Sequence, residues 1–341
     1  MDPVDTVPVT ADALRASYRE ALEHTNALTD RISTDQFSAR YEDRPEWVIG
    51  PFERDDRLTF RPEGQWDDPT GVGWTSDSVF NPTVIEAGDA LHLFYRASPR
   101  KESTASRIGH AVHRDGVWHD DPANPVVYPT TANEALGCED PKVYEADGRY
   151  VLFYNAIWRT EAGDVACDIM SAVSDDLTTW RKLGLAVPYS VSQGWAKGAV
   201  VPRDEHGRAV RIGGEYLMFL SEGCGGRPMV GRSDDLLTWR FEEQPYLDLS
   251  PLPGSLYEVA CAAVEGDRMV LDFFYADAAG DFAAGQALYA LDAPFTQLAL
   301  HRGGSLAWGG LQKLGGRWSF AQGWDAAPGE RELFFYREVI R

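Results

Sequence analysis

The sequence predicts an all-β fold, a five-bladed β-propeller with an N-terminal helical extension, and three observations lead there. An octet recurs: "SDDLTTWR" from Ser174 returns as "SDDLLTWR" from Ser233, with a weaker copy, "HRDGVWHD", from His113. A second signature, a turn glycine followed by a strand of aromatic and aliphatic residues, occurs five times. It reads "GDALHLFYRA" from Gly88, "GRYVLFYNA" from Gly148, "GEYLMFLSEG" from Gly214, "GDRMVLDFFYAD" from Gly266 and, more faintly, "GRWSFAQGW" from Gly316. Each interval between these glycines has room for about four short strands and their polar turns, which is the size of one propeller blade.

Taken in order, the chain begins with a different pattern. Residues 10–32, "TADALRASYREALEHTNALTDRI", place Leu14, Tyr18, Leu22 and Leu28 at roughly helical spacing, with Thr10 or Asp12 available as a cap. This predicts a helical extension over residues 1–40 and a propeller over 41–341. The helix would pack on a blade or on a second copy of the chain, the latter making a homo-oligomer. In the octets, the aspartate caps a turn and the tryptophan packs between blades, so Trp118, Trp180 and Trp239 read as architecture.

The stretch "GCEDPKVYEADGRYVLFYNA" from Gly137 poses a chemical question. Two carboxylates stand at the start of a strand about to be buried, where an unpaired acid is costly. Aligning the copies on their turn glycines puts one residue of each blade at the channel mouth: Asn81, Asp140, Lys197, Glu258 and Trp308. An insertion, "RDEHGRAVRIGG", blurs the register of the third. Sequence neighbours add Glu139, Lys142, Asp77, Trp74 and Trp195. Carboxylates and amides hydrogen-bond sugar hydroxyls, and a tryptophan face stacks on a pyranose. Glycosidic cleavage needs two acids of different pKa across the bond, and Asp140 and Glu258 come from blades two and four. Either acid alone could equally accept backbone N–H groups or pair with Lys142 or Lys197. Two acids in one register of a repeat favour chemistry.

Composition narrows the class further. A hydrophobic fraction of 44% with 25% charged residues is that of a globular protein with a sizeable core. A net charge of −21 repels phosphate backbones and anionic membrane surfaces, which argues against nucleic acid and membrane partners. No apolar run is long enough for a membrane span, and the first residues lack a basic start followed by an apolar block. The four cysteines, Cys138, Cys167, Cys224 and Cys261, have no CxxC spacing, which points to reduced thiols and away from zinc. The expectation is a cytoplasmic protein that takes a small carbohydrate and needs no metal or cofactor.

The motifs "FNPTVIEAGDALHLFYRA", "SRIGHAVHRDGV", "GCEDPKVYEADGRYVLFYNA", "WAKGAVVP", "SDDLLTWR" and "YEVACAAVEGDRMVLDFFY" together resemble glycoside hydrolase family 130. That family comprises five-bladed propellers acting on β-mannosides by phosphorolysis or hydrolysis. The resemblance runs from about Phe80 to Ala276, and "EDPK" is its most specific piece, against the family's Glu-Asp-Pro-Arg. It implies that Asp140 is the proton donor and that Arg96 belongs to the active site. The sister families 32 and 43 share the fold but keep an aspartate in the first blade, where this chain has Asn81. Two departures matter. Lys142 replaces an arginine and cannot form its bidentate fork. Where the family's phosphorylases place cationic side chains for phosphate, this chain reads Leu220, Ser221 and Glu222. An acid there repels phosphate and suits the activation of water. The resemblance thus implies an inverting, exo-acting hydrolase of a short β-linked saccharide, a mannoside first. Glu222 or Glu258 would be the base, and Asn81, Arg96, Glu139, Lys142, Lys197, Trp308 and Asp77 would hold the sugar. Phosphorolysis, or sugar binding without cleavage, are the alternatives.

Overall fold

Every turn glycine of the repeat adopts a positive φ: 62° at Gly88, 79° at Gly148, 92° at Gly214, 63° at Gly266 and 80° at Gly316. Each closes the tight hairpin between the first two strands of a four-stranded antiparallel sheet, and the computed structural model contains five such sheets. It describes residues 7–24, 44–64, 73–252, 254–305, 307–327 and 329–340.

An N-terminal helix, α1 (Ala11–Glu23), precedes strand β1 (Phe52–Phe60). The first blade is β2 (Ser78–Ala87), β3 (Ala90–Ser98), β4 (Arg107–Arg114) and β5 (Val117–Asp120). The second is β6 (Gly137–Ala146), β7 (Arg149–Arg159), β8 (Val165–Ser174) and β9 (Arg181–Leu185). In the third the inner strand is broken by the insertion into β10 (Ala196–Lys197) and β11 (Arg211–Ile212). It continues through β12 (Glu215–Leu220), β13 (Glu222–Gly223), β14 (Met229–Ser233) and β15 (Arg240–Glu243). The fourth is β16 (Gly254–Glu265), β17 (Arg268–Asp277), β18 (Phe282–Ala290) and β19 (Ala299–Arg302). The fifth is β20 (Gln312–Leu314), β21 (Arg317–Gln322) and β22 (Leu333–Glu338), and its outer strand is β1, which pairs with β22 from Phe52↔Glu338 to Phe60↔Leu333. The predicted five-bladed propeller is borne out. Its closure by a strand from before the first blade was not foreseen.

The octet tryptophans do pack between blades. Trp118 lies against Phe60 and Phe335 of the fifth blade, Trp180 meets Phe94 of the first edge-on, and Trp239 meets Phe153 of the second edge-on. In the fourth blade Phe295 takes the same place against Phe219 of the third. The octet aspartates cap as expected: Asp176 accepts the N–H groups of Thr178 and Thr179, and Asp235 those of Leu237 and Thr238.

Below the channel mouth the axis is closed by two buried cations. The Lys142 ammonium of the second blade donates to the carbonyls of Ala260 and Trp308, in the fourth and fifth. Arg203 of the third donates to Leu311 and Val84, in the fifth and first. Side chains that reach across in this way define a narrow axis. Burial pulls the Lys142 pKa below its ordinary value, against the opposing charges of Glu258 and Asp140.

The predicted helix forms over Ala11–Glu23 with Thr10 as its cap, accepting from the Ala13 N–H at 3.2 Å; residues 25–32 of the prediction lie outside the described residues. Its apolar stripe is spent on the propeller. Leu14 and Ala21 are buried, and Tyr18 meets Trp74 edge-on at 5.7 Å. The carbonyls of Ala21 and His24 accept the N–H groups of Ala105 and Thr104 in the loop after β3. That loop is also pinned from the second blade, because Gly137 approaches so closely that a Cβ would stand 1.8 Å from the Thr104 carbonyl oxygen. Gly137→Ala therefore displaces backbone rather than a flexible side chain. It is expected to destabilise by ~1–3 kcal/mol, a loss read as a lower melting temperature. Among the described residues, no helix is long and apolar enough to cross a membrane.

Candidate active site

The five residues aligned on the turn glycines do converge. Asn81, Asp140, Lys197, Glu258 and Trp308 line one narrow, open-mouthed hollow on the axis. Local backbone sets their aim. Asn81 and Asp140 both precede a proline and occupy left-handed backbone, with φ of 44° and 53°. In both strands the pairing register shifts at that point, between Phe80 and Thr83 and between Glu139 and Lys142. A bulge at the same place in two blades turns each side chain inward. Such non-glycine backbone costs ~1–3 kcal/mol and persists where the surroundings over-determine it, often at functional sites.

Asp140 is the hub. One oxygen accepts from the Asn81 amide at 2.7 Å and from Arg96 at 3.2 Å; the other accepts from the Asn155 amide at 3.1 Å and lies 3.6 Å from Lys197. Arg96 is buried, stacks 4.5 Å over Phe80, and ties itself to Ser106 and to the Ser103 carbonyl. Glu139 stands behind the wall and bridges both cations, 2.7 Å from Arg96 and 3.0 Å from Lys197. Burial pushes the Asp140 carboxyl upward, but the charges of Arg96 and Lys197 and the Asn81 hydrogen bond bring it down to about 2. Burial lowers the Lys197 pKa, and the Glu139 and Asp140 charges outweigh it, so the amine holds its proton well above the ordinary value.

Across the hollow the electrostatics reverse. Glu258 accepts from the Trp308 indole at 3.0 Å. Burial, opposed by Lys142 and reinforced by the Glu222 charge, raises its carboxyl to about 7. Glu222 faces the same hollow, accepting from the Trp195 indole at 2.7 Å, and burial raises its pKa too. The hollow thus holds two acids of different pKa, as glycosidic cleavage requires, with the proton on the Glu258 side while no ligand is bound.

Three lining residues were not anticipated. Tyr257 enters the wall beside Glu258 because the register of β16 slips between Leu256 and Glu258, which brings consecutive residues to one side. Trp324 donates to the Asn81 amide oxygen at 2.6 Å and leans on Trp308, ring centroids 5.5 Å apart. Glu102 comes from the loop after β3. Three expected sugar-holding residues stand elsewhere: Glu139 behind the wall, Lys142 beneath the floor, and Asp77 beside Lys101 rather than in the hollow. Trp74 is wholly buried under the Arg107 guanidinium.

The profile of glycoside hydrolase family 130, described as β-1,4-mannooligosaccharide phosphorylase, matches residues 59–256, more than half of the chain. The chain belongs to glycoside hydrolase family 130. Two curated relatives come from Thermoanaerobacter sp. (strain X514). A β-1,2-mannobiose phosphorylase is 34% identical over 32% of this chain and 39% of its own length. A 1,2-β-oligomannan phosphorylase is 26% identical over 66% of this chain and 74% of its own. A solved structure described with family 130 glycoside hydrolases that target β-1,2-mannosidic linkages in Candida mannan covers 86% of this chain and 95% of its own. It has a TM-score of 0.66 at 20% identity, which is a likeness of fold. Set against the family's usual Glu-Asp-Pro-Arg, the lysine at Lys142 has become the axial plug described above.

Proposed function

We propose that this family 130 enzyme is an inverting, exo-acting hydrolase of short β-linked mannosides, with water as the attacking group. The observation that carries the reading is Glu222 at the wall of the hollow. It brings the lining carboxylates to four, with Glu102, Asp140 and Glu258, against the two cations Arg96 and Lys197, both already paired with Asp140 and Glu139. A phosphate dianion needs an unopposed cationic cradle. Two like unit charges about 4 Å apart repel by ~4 kcal/mol at an effective dielectric of 20. Water meets no such penalty, and a buried glutamate with a raised pKa is suited to take its proton.

In this reading Asp140 protonates the leaving oxygen, directly or through a sugar hydroxyl, and Glu222 or Glu258 polarises water on the opposite face. The role sets a requirement, because the empty site keeps Asp140 ionised. A bound sugar must raise that pKa, by excluding water and by interposing a neutral hydroxyl at the long Lys197 contact. Trp308 and Trp324 line the hollow beside the acids, and a narrow mouth on the axis suits the end of a chain rather than its middle, hence exo action.

Phosphorolysis is the second reading, favoured by the names of both curated relatives and by the presence of Arg96 and Lys197 at the cavity. The deciding experiment incubates mannobioses of defined linkage with and without inorganic phosphate. The β-1,2 isomer leads the panel because both relatives are named for it. Free mannose is expected, at a rate that phosphate does not change. Mannose 1-phosphate as the main product would overturn hydrolysis, and intact disaccharide after long incubation would leave a binding propeller.

A further inference from the structure

Glu102 is the cavity acid that neither the repeat nor the family motifs account for. The Ser103 N–H donates to the Arg100 carbonyl at 3.1 Å, closing a turn with Lys101 and Glu102 at its centre, and Glu102 has a φ of 61°. The second central position of a turn with positive φ is where glycine belongs. Here the chain accepts a long, charged residue instead, so something else must hold the conformation. The holding contacts come from both sides. The N–H groups of Thr104 and Ala105 donate to the last carbonyls of α1, and the Lys101 ammonium donates to the carbonyls of Trp324 and Ala326 at 2.9 and 2.6 Å. The turn is thus fastened between the N-terminal helix and the loop that presents Trp324. What this fixes in place is the Glu102 carboxylate, 7% exposed, in the wall of the hollow.

A simpler role would be to balance the buried charge of Lys101. Glu102 does face that amine, which has two carbonyl acceptors and the further charges of Asp325 and Asp77 as well. Charge balance calls for an acid near Lys101; it does not call for one facing the cavity from backbone that favours glycine.

We propose that Glu102 is a specificity-determining residue that accepts hydrogen bonds from a hydroxyl of the bound saccharide, on the side of the first and fifth blades and away from Glu222. The proposal rests on the reading that the hollow takes a saccharide. Because the backbone favours glycine, Glu102→Gly removes the carboxylate without straining the turn, and kinetics separate the two roles. As a sugar ligand, its removal lowers kcat/KM about 10- to 100-fold, chiefly through KM, the usual size of a lost hydrogen bond to a charged group, whatever happens to the melting temperature. Glu102→Gln, which keeps one acceptor oxygen, restores part of the loss. Among monodeoxy mannosides, the one lacking the partner hydroxyl should be a poor substrate for the wild type and lose nothing further in Glu102→Gly. Unchanged kcat/KM in Glu102→Gly, or a lower melting temperature with unchanged kcat/KM in Glu102→Gln, would overturn the proposal in favour of charge balance. Isothermal titration of the wild type with mannose and mannobiose separates the two levels of inference. If neither binds, the saccharide reading fails, and this one with it; if they bind equally well to Glu102→Gly, only Glu102 is misassigned.

Discussion

Replacing Asp140 with Asn is expected to reduce turnover ~10²–10⁴-fold, the usual contribution of a positioned acid, while the protein stays folded. The substitution is nearly isosteric. It removes a carboxylate between Arg96 and Lys197, and Glu139 keeps both cations paired, at 2.7 and 3.0 Å. The propeller therefore does not inherit two uncompensated buried charges, the circumstance that makes broken buried pairs so destabilising. Turnover on the best mannobiose, measured beside a thermal melt, checks both halves. A variant with full activity and an unchanged melt would make Asp140 a structural acid, holding the Asn81 and Asn155 amides and nothing more.

Glu258→Gln is expected to cost a similar ~10²–10⁴-fold, and its pH dependence adds a sign. The wild-type carboxyl sits at about 7, so a base at this position is half-formed near neutrality. With Glu258 as base, kcat/KM rises with pH through about 7 and levels off above it, and the Gln variant loses that limb. The Glu222 charge is one of the causes that raise Glu258. Glu222→Gln should therefore move the limb to lower pH. A wild-type profile that falls through that range would exchange the roles, making Glu258 the donor and Asp140 its ionised counterpart.

The ring of side chains at the mouth was legible because repetition fixes position. A turn glycine, a strand of known period and a shared register bring Asn81, Asp140, Lys197, Glu258 and Trp308 together even where the third inner strand is interrupted. What departs from the period was not legible. Tyr257 follows from a slipped register that alternation would have aimed outward, and Glu102 and Trp324 lie in loops, which have no period. Lys142 shows the opposite limit. It sits two residues beyond Asp140 on the same strand, and that step carries it below the floor, where carbonyls of opposite blades claim its amine. The sequence places a residue on the inner face, but it does not say how deep the hollow goes. Glu139 misled for a related reason: it neighbours the hub and serves it from behind, as the shared counter-charge of two cations.

The pairing of β1 with β22 has a consequence for the chain as it leaves the ribosome. Arg44 and Glu338, joined at this seam, are 294 positions apart, which at ~5–20 residues per second is roughly a quarter of a minute to a minute of synthesis. Through that time β1 has no partner, and a bare strand invites pairing with a neighbouring nascent chain. Its sequence, FERDDRLTF, carries Glu53, Arg54, Asp55, Asp56 and Arg57 in nine residues, an unusually charged strand for a propeller whose other long strands are largely apolar. Those charges keep the waiting strand solvated and discourage the wrong partner. Several are then matched within the seam, Arg337 meeting both Glu53 and Asp55. The strand that arrives first and is used last is written to tolerate the delay.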